Sequence, residues 1–192
     1  MRLTRLVLPL VPALSLACAS LPSSPPPTTW AFASATPSAG KELRMYAQGK
    51  YIQVSIEGED IYGPNFSLKH GPNYIRGTGA AASVIDVQLQ GTHAVGSVRS
   101  APFTVDLKPD GTGITQVTGL FAGVISEFKI SPALFNGYVG TCSYEFNWTG
   151  SRYEGKVSCG GSIAQGSLEL PAAMASWSDL EVATLLGIVL GT

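Results

Sequence analysis

The chain has 192 residues, of which 45% are hydrophobic and 13% charged, and its formal net charge is −1. This balance excludes the Lys and Arg excess on which nucleic-acid binding and polybasic membrane binding depend. The length predicts one domain with a real hydrophobic core, and 22 Gly with 13 Pro predict many turns and few long helices.

The first 18 residues carry a targeting signal rather than part of the fold. Arg2 and Arg5 precede the apolar stretch 6–16, which is far shorter than the roughly 20 residues of a membrane-spanning helix. The stretch ends in Ser-Leu-Ala-Cys at residues 15–18, which resembles the lipobox of bacterial lipoproteins. The alternative is an ordinary signal peptide cleaved at an A-x-A-like site.

The lipobox resemblance implies where the protein resides and what holds it there. It implies that residues 1–17 are a signal peptide, that Cys18 is lipidated, and that Cys18 becomes the new N-terminus. Because Ala19 rather than Asp follows, the resemblance also implies the cell envelope, at the outer membrane. Several acyl chains on one residue are enough for stable anchoring.

Residues 18–40 predict a tether between the lipidated cysteine and the folded body. The segment contains Pro22, Pro37 and the run Pro25 to Pro27, with many Ser, Thr and Ala and no apolar periodicity. A Pro-rich chain of this kind is extended and semi-rigid, at about 3.1 Å per residue.

Residues 41–192 predict a single β-rich domain, because the apolar period becomes two. Alternation is clear at 51–57, 85–90 and 103–108, and a longer stripe runs from Leu120 to Ile130. Turn signals separate the runs, at 63–65, 70–73, 109–111 and Asn136-Gly137. We therefore expect an all-β fold, mainly an antiparallel meander in a small barrel or sandwich, with one C-terminal helix.

The most specific prediction is a disulfide-bonded hairpin. Once Cys18 is lipidated, Cys142 and Cys159 remain, and we expect them to pair in an oxidising envelope. If they face each other, the turn centre falls between Gly150 and Ser151, a permitted hairpin turn. The same register pairs Trp148 with Tyr153, Phe146 with Gly155, Tyr144 with Val157, Glu145 with Lys156, Asn147 with Glu154, and Ser143 with Ser158.

The hairpin and the residues just before it also predict an aromatic face, for which two roles are open. Its members are Tyr138, Tyr144, Phe146, Trp148 and Tyr153. Such a face can line a cavity for an apolar ligand, but aromatic side chains on one strand face are more often plain core.

The C-terminus predicts the one helix, over residues 178–190. Ser178 and Glu181 fit a capping box, and Gly191 is a natural C-cap residue. The intervening residues are almost wholly apolar, so the helix must be buried. Docking onto the sheet is favoured over a self-association surface.

No catalytic or metal-binding motif emerges from the sequence. His70 and His93 belong to no metal-ligand spacing, and Gly160-Gly161-Ser162 is a near miss for a nucleophile elbow. We expect no cofactor, no metal and no nucleic acid. The first hypothesis is a non-catalytic envelope lipoprotein with a structural role or an envelope protein partner, its oligomeric state left open. The second is a carrier of an apolar ligand in a small barrel, and the third a hydrolase with scattered site residues.

Overall fold

A computed structural model of the chain describes residues 40–191. The predicted signal peptide 1–17, the lipidation at Cys18 and the tether up to residue 39 lie outside the described residues. The described part contains fourteen β-strands and one α-helix: β1 (Glu42–Ala47), β2 (Lys50–Glu57), β3 (Asp60–Gly63), β4 (Phe66–Gly71), β5 (Tyr74–Gly79), β6 (Val84–Gln90), β7 (His93–Val98), β8 (Ala101–Pro109), β9 (Thr115–Phe121), β10 (Val124–Ile130), β11 (Leu134–Val139), β12 (Cys142–Trp148), β13 (Tyr153–Cys159), β14 (Ser162–Glu169) and α1 (Asp179–Gly191).

The strands form one closed antiparallel barrel, which confirms the all-β prediction and decides for a barrel over a sandwich. Each strand pairs with the next along the chain, and β14 closes onto β1 with Glu169 opposite Arg44 and Ser167 opposite Tyr46. Consecutive pairing follows from the short connections, which leave no room for crossovers. Closure pairs the strands all the way round and leaves no exposed sheet edge.

The disulfide hairpin is confirmed in every predicted pair. In the β12–β13 ladder Cys142 lies opposite Cys159, Phe146 opposite Gly155, and Trp148 opposite Tyr153. The two cysteines are disulfide-bonded. Turn chemistry, aromatic alternation and cysteine spacing therefore specified one register.

Two local predictions were wrong. The stripe at 120–130 is not one strand, because Ala122 and Gly123 have φ of 50° and 84° and turn the chain between β9 and β10. Gly137 does not mark a turn and lies inside β11. A Cβ at Gly137 would stand 2.2 Å from the carbonyl oxygen of Glu127, so glycine is needed there for close strand approach rather than for reversal.

Helix α1 lies inside the barrel. Its residues from Val182 to Val189 are all buried, and the helix packs against β7, β8, β9 and β11. A helix that is apolar on all sides requires apolar surroundings on all sides, which the barrel wall supplies. At Gly187 a Cβ would stand 3.0 Å from Phe103 and 3.2 Å from Phe121, so the aromatic wall nearly touches the helix backbone.

The barrel has two different ends, which we name by their connections. The helix-entry end carries the even-to-odd connections, such as β8–β9, and the start of α1. The tight-turn end carries the seven odd-to-even connections, from β1–β2 to β13–β14. Every non-glycine residue with positive φ in the described chain lies in a connection at the tight-turn end: Gln48, Ala81, Ala82, Arg99, Ser100 and Ala122. Such conformations suit two-residue turns between twisted strands.

Candidate functional site

Four of the five aromatic residues predicted to face a ligand come together inside the barrel. Tyr144, Phe146 and Tyr153 are buried, and Trp148 packs edge-on to Tyr153 with ring centroids 5.1 Å apart. Tyr138 lies instead on the outer face opposite Ser143, with 39% of its surface exposed.

The inner aromatics belong to a longer row that crosses neighbouring strands. Successive ring centroids lie 4.9–5.9 Å apart along Phe103, Phe121, Phe128, Phe135, Tyr144 and Phe146. The phenylalanines of β8 to β11 were missed as members. Phe128 lies between Glu127 and Lys129, a signal for an inner face, whereas the misread stripe through Leu120 put Phe121 on the opposite face. Burial raises the pKa of the Tyr144 and Tyr153 hydroxyls. The Tyr153 hydroxyl donates a hydrogen bond to the carbonyl oxygen of Ser131 at 3.0 Å.

The space beside this row is small. A cavity of about 10 Å³ lies between α1 and the wall, next to Phe135, Tyr153, Leu168 and Leu186. A space of this size holds about one water molecule and no lipid-sized ligand. The aromatic face therefore packs as core against the helix.

A polar cluster fixes the start of α1 at the helix-entry end. Glu181 accepts hydrogen bonds from the backbone N–H of Ser178 at 2.5 Å and from its hydroxyl at 2.7 Å, so the predicted capping box is formed. His70 Nε2 lies 2.6 Å from Glu181 Oε1, and Trp177 stacks on the His70 ring at 4.2 Å. Burial acts to raise the pKa of the Glu181 carboxyl, but these hydrogen bonds and His70 outweigh it and lower that pKa.

This cluster contains Ser, His and Glu but not in a nucleophilic arrangement. The Glu181 carboxylate stands between Ser178 and His70, so the Ser178 hydroxyl donates to the carboxylate and not to the imidazole that would activate it. The arrangement caps the helix and ties it to β4.

A shallow groove runs over the outer face of β3 to β5. Lys69 and Arg76 lie directly opposite each other in the β4–β5 ladder, and each pairs at 2.9 Å with a carboxylate of the flanking strand, Asp60 or Asp86. The groove has a volume of about 430 Å³ and opens to solvent. Both cations are neutralised by these exposed ion pairs, so the groove presents little net charge to a ligand.

The outer surface near the tight-turn end carries a belt of uncharged, mostly apolar or aromatic side chains. On each strand, the outward-facing residue two positions from the turn contributes to a belt around the barrel, which we call the girdle. Its fourteen members are Tyr46, Tyr51, Tyr62, Ser67, Thr78, Val84, Ser97, Pro102, Leu120, Ile125, Tyr138, Ser143, Ser158 and Ile163. None of them is charged, and nine are apolar or aromatic.

Eleven of these fourteen girdle side chains are exposed, and Ser97, Leu120 and Ser158 are half-buried. Ile163 is 73% exposed, Ile125 68% and Val84 60%, and the four tyrosines are between 39% and 56% exposed. Large apolar side chains at this exposure, gathered at one level of a barrel, form a surface composition typical of interaction sites.

Charge is separated between the two ends. The seven hairpin segments of the tight-turn end hold the cations Lys50 and Arg99 and no carboxylate; they are 46–51, 62–67, 78–84, 97–102, 120–125, 138–143 and 158–163. All 13 Asp and Glu residues of the chain lie outside these segments. The tight-turn end is thus uncharged or cationic, and the rest of the barrel is acidic.

Comparisons with known proteins identify no relative. No family model, no curated protein and no solved structure matches the chain. Within residues 40–191 no group of three or more His, Cys, Asp or Glu side chains is placed to hold a metal ion. Within the same residues, no helix has both the length and the apolar character needed to cross a membrane.

Proposed function

We propose that the protein is a non-catalytic lipoprotein of the cell envelope, anchored through Cys18, whose barrel plays a binding or structural role through its outer surface. The observation that carries this proposal is the filled interior. Leu185 and Ile188 of α1 are fully buried among wall residues such as Phe103 and Phe121, so the centre of the barrel belongs to the protein's own core. The exposed girdle remains as the surface with a composition suited to binding.

The sequence supports the envelope location, and the disulfide agrees with it. A Cys142–Cys159 bridge forms and persists in oxidising compartments. The lipobox-like segment and the Pro-rich residues after it supply an anchor and a spacer of the kind that tethered envelope proteins use.

The anchor is tested by the mass of the protein recovered from membranes. We expect a chain that begins at Cys18 and carries the mass of covalent acyl chains. Cys18→Ser is expected to abolish that mass and to release the protein from the membrane fraction. A protein that starts after another residue, or that fractionates as soluble without acyl mass, would refute the anchoring proposal.

The carrier of an apolar ligand stays an alternative hypothesis, because a β-barrel is the fold that such carriers use. A carrier would require α1 to move away from the barrel wall, because the cavity beside Phe135 and Leu186 is only about 10 Å³. Native mass spectrometry of the gently purified chain separates the two. A bare monomer two hydrogens lighter than the reduced chain agrees with our proposal, whereas several hundred daltons of extra mass, lost only on unfolding, favours the carrier.

A further inference from the structure

We propose that the tight-turn end of the barrel docks on a phospholipid surface, with the girdle at the level of the headgroups. The proposal deepens the proposed function and rests on it in one respect, that the chain works at a membrane. It goes further by naming the partner of the barrel surface and the end that faces it.

The shape of the apolar surface favours a plane over a protein partner. A protein partner covers a patch on one side of a barrel, but the girdle extends round it, from Tyr46 and Tyr51 on β1 and β2 to Ile125 on β10 and Ile163 on β14. The seven connections that bear these residues all leave the same end of the barrel. A flat surface perpendicular to the barrel axis meets all of them together.

The residue types fit the boundary between water and lipid. Tyr46, Tyr51, Tyr62 and Tyr138 supply amphipathic rings, which concentrate at headgroup level in membrane proteins. Isoleucine and valine at Ile125, Ile163 and Val84 add apolar area. Some of the turns beyond the girdle are built from small residues, such as Gly160-Gly161 and Ala122-Gly123, which offer little hindrance to close approach.

The depth of the girdle also fits. Its members lie two to three residues behind the turn centres, or about 8 Å along the strand at about 3.3 Å per residue. Interfacial elements insert their apolar faces about 5–10 Å into the boundary between headgroups and acyl chains. The next outward-facing level already carries Asp60, Asp86 and Glu127, whose carboxylates stay in water.

The charge of this end complements an anionic lipid surface. Lys50 and Arg99 are the charged residues of the seven hairpin segments, and the chain's carboxylates all lie outside those segments. Each cation near an anionic membrane contributes about 1 kcal/mol of binding, or about fivefold in affinity. The acidic helix-entry end is repelled by the same surface, so the electrostatic term also orients the barrel.

The length of chain before the barrel permits this orientation. β1 begins near the helix-entry end, where the Lys41 carbonyl accepts a hydrogen bond from Ile56 N–H at 2.7 Å. Residues 19–40 can reach about 70 Å at about 3.1 Å per residue. The longest strand, β8 with 9 residues, is about 30 Å long at about 3.3 Å per residue. The tether can therefore pass along the barrel and leave the tight-turn end on the anchoring membrane.

Vesicle flotation tests the proposal with a chain that has no lipid anchor. The protein is residues 18–192 with Cys18→Ser, whose barrel, core and disulfide lie entirely within that range. The probes are vesicles of phosphatidylethanolamine with phosphatidylglycerol, and vesicles of phosphatidylcholine alone. We expect binding to both, stronger to the anionic vesicles. Lys50→Gln is expected to lower the anionic affinity about fivefold and to leave the zwitterionic affinity unchanged.

The girdle is tested by a pair of matched variants. The double variant Ile125→Glu with Ile163→Glu is expected to lower vesicle affinity at least tenfold, because two side chains that the membrane would bury are lost and two carboxylates are added. Val95→Glu is the control, since Val95 is 58% exposed on the same outer face but lies one level farther from the turns. Its affinity is expected to stay within twofold. Thermal unfolding of each variant confirms that the barrel is folded.

Three outcomes would overturn the proposal. One is absence of flotation of the parent chain with either vesicle. Another is flotation that the Ile125 and Ile163 substitutions leave unchanged, which would assign binding to the tether. The third is a dimer, abolished by those substitutions, without vesicle binding, which would assign the girdle to a second copy of the chain. A failed lipidation at Cys18 would refute the proposed function and leave this result intact, because the test chain carries no acyl group.

Discussion

Gly187 shows at the scale of one residue how α1 fits inside the barrel. Its missing side chain lets the rings of Phe103 and Phe121 lie against the helix backbone, since an added Cβ would stand 3.0 Å and 3.2 Å from them. Glycine in a helix interior costs about 1 kcal/mol relative to alanine. The close packing of the aromatic row on the helix offsets that cost.

Gly187→Leu is therefore expected to destabilise the protein by about 1–3 kcal/mol, because the larger side chain forces the aromatic wall outward. Denaturant unfolding followed by tyrosine and tryptophan fluorescence measures the change. Gly187→Ala is the control and is expected to lose clearly less. A leucine variant as stable as the parent would show that α1 does not touch this wall.

We expect the protein to lose stability in acid as the Glu181 carboxylate is protonated. Because hydrogen bonds in the fold lower its pKa below the ordinary value of 4.5, the unfolded state takes up the proton more readily. This contribution is complete above about pH 5 and is lost as the pH falls through the lowered pKa of the folded state.

Glu181→Gln is expected to reduce stability at pH 7 by about 1 kcal/mol, since it removes a charge-assisted cap on Ser178 and the contact with His70. It should also reduce the dependence of the free energy of unfolding on pH below about pH 5. Chemical unfolding at several pH values measures both. An unchanged acid limb would show that other carboxyls control it.

At the scale of elements, α1 is part of the core rather than a removable cover. Leu185 is 0% exposed and Ile163, a residue of similar size on the outer face, is 73% exposed. Leu185→Ala is expected to cost about 2–5 kcal/mol, and Ile163→Ala to change stability by no more than about 0.5 kcal/mol. Equal effects in thermal or denaturant unfolding would contradict a helix-filled barrel.

The disulfide adds to a hairpin that the ladder already specifies. Replacing both Cys142 and Cys159 with Ala is expected to cost about 3 kcal/mol, mainly by freeing the unfolded chain. The neighbouring outward-facing pair, Ser143 and Ser158, is the matched control, and its double alanine variant should be near neutral. If the cysteine variant matches this control, the bridge contributes nothing beyond the ladder.

Elements differed in how far the sequence determined them. The β12–β13 hairpin was predictable because local turn chemistry, aromatic alternation and a covalent link all act within 18 residues. The β9–β10 hairpin was misread because a two-residue turn exchanges the inward and outward parity. Phe121 faces the core before the turn and Ser126 after it, so the even-numbered stripe through Leu120 arises by coincidence.

The girdle could not be predicted from the sequence for a different reason. Each hairpin contributes only two of its residues, and none of these pairs is unusual alone. Their common level exists because consecutive pairing sends all seven odd-to-even turns to one end and closure arranges them in a ring. The available signal was the absence of Asp and Glu beside those turns, which has meaning only once the turns are known to share an end.

At the scale of the whole molecule, the barrel is closed and its interior is filled. Its two ends differ in charge. Its core runs continuously from the strands into α1, and its carboxylates are segregated from the tight-turn end. A filled interior directs function to the outside, and charge segregation selects one outer region for it. The interior is filled only if α1 stays inside the barrel.

Hydrogen exchange of the α1 backbone amides tests that central claim most directly. If the helix fills the barrel, the amides of Leu185 to Val189 exchange only through global unfolding, as slowly as those of β9 and β12. Exchange of these amides at a markedly lower opening free energy than the strands, in the native protein, would contradict the account and open the interior to a ligand.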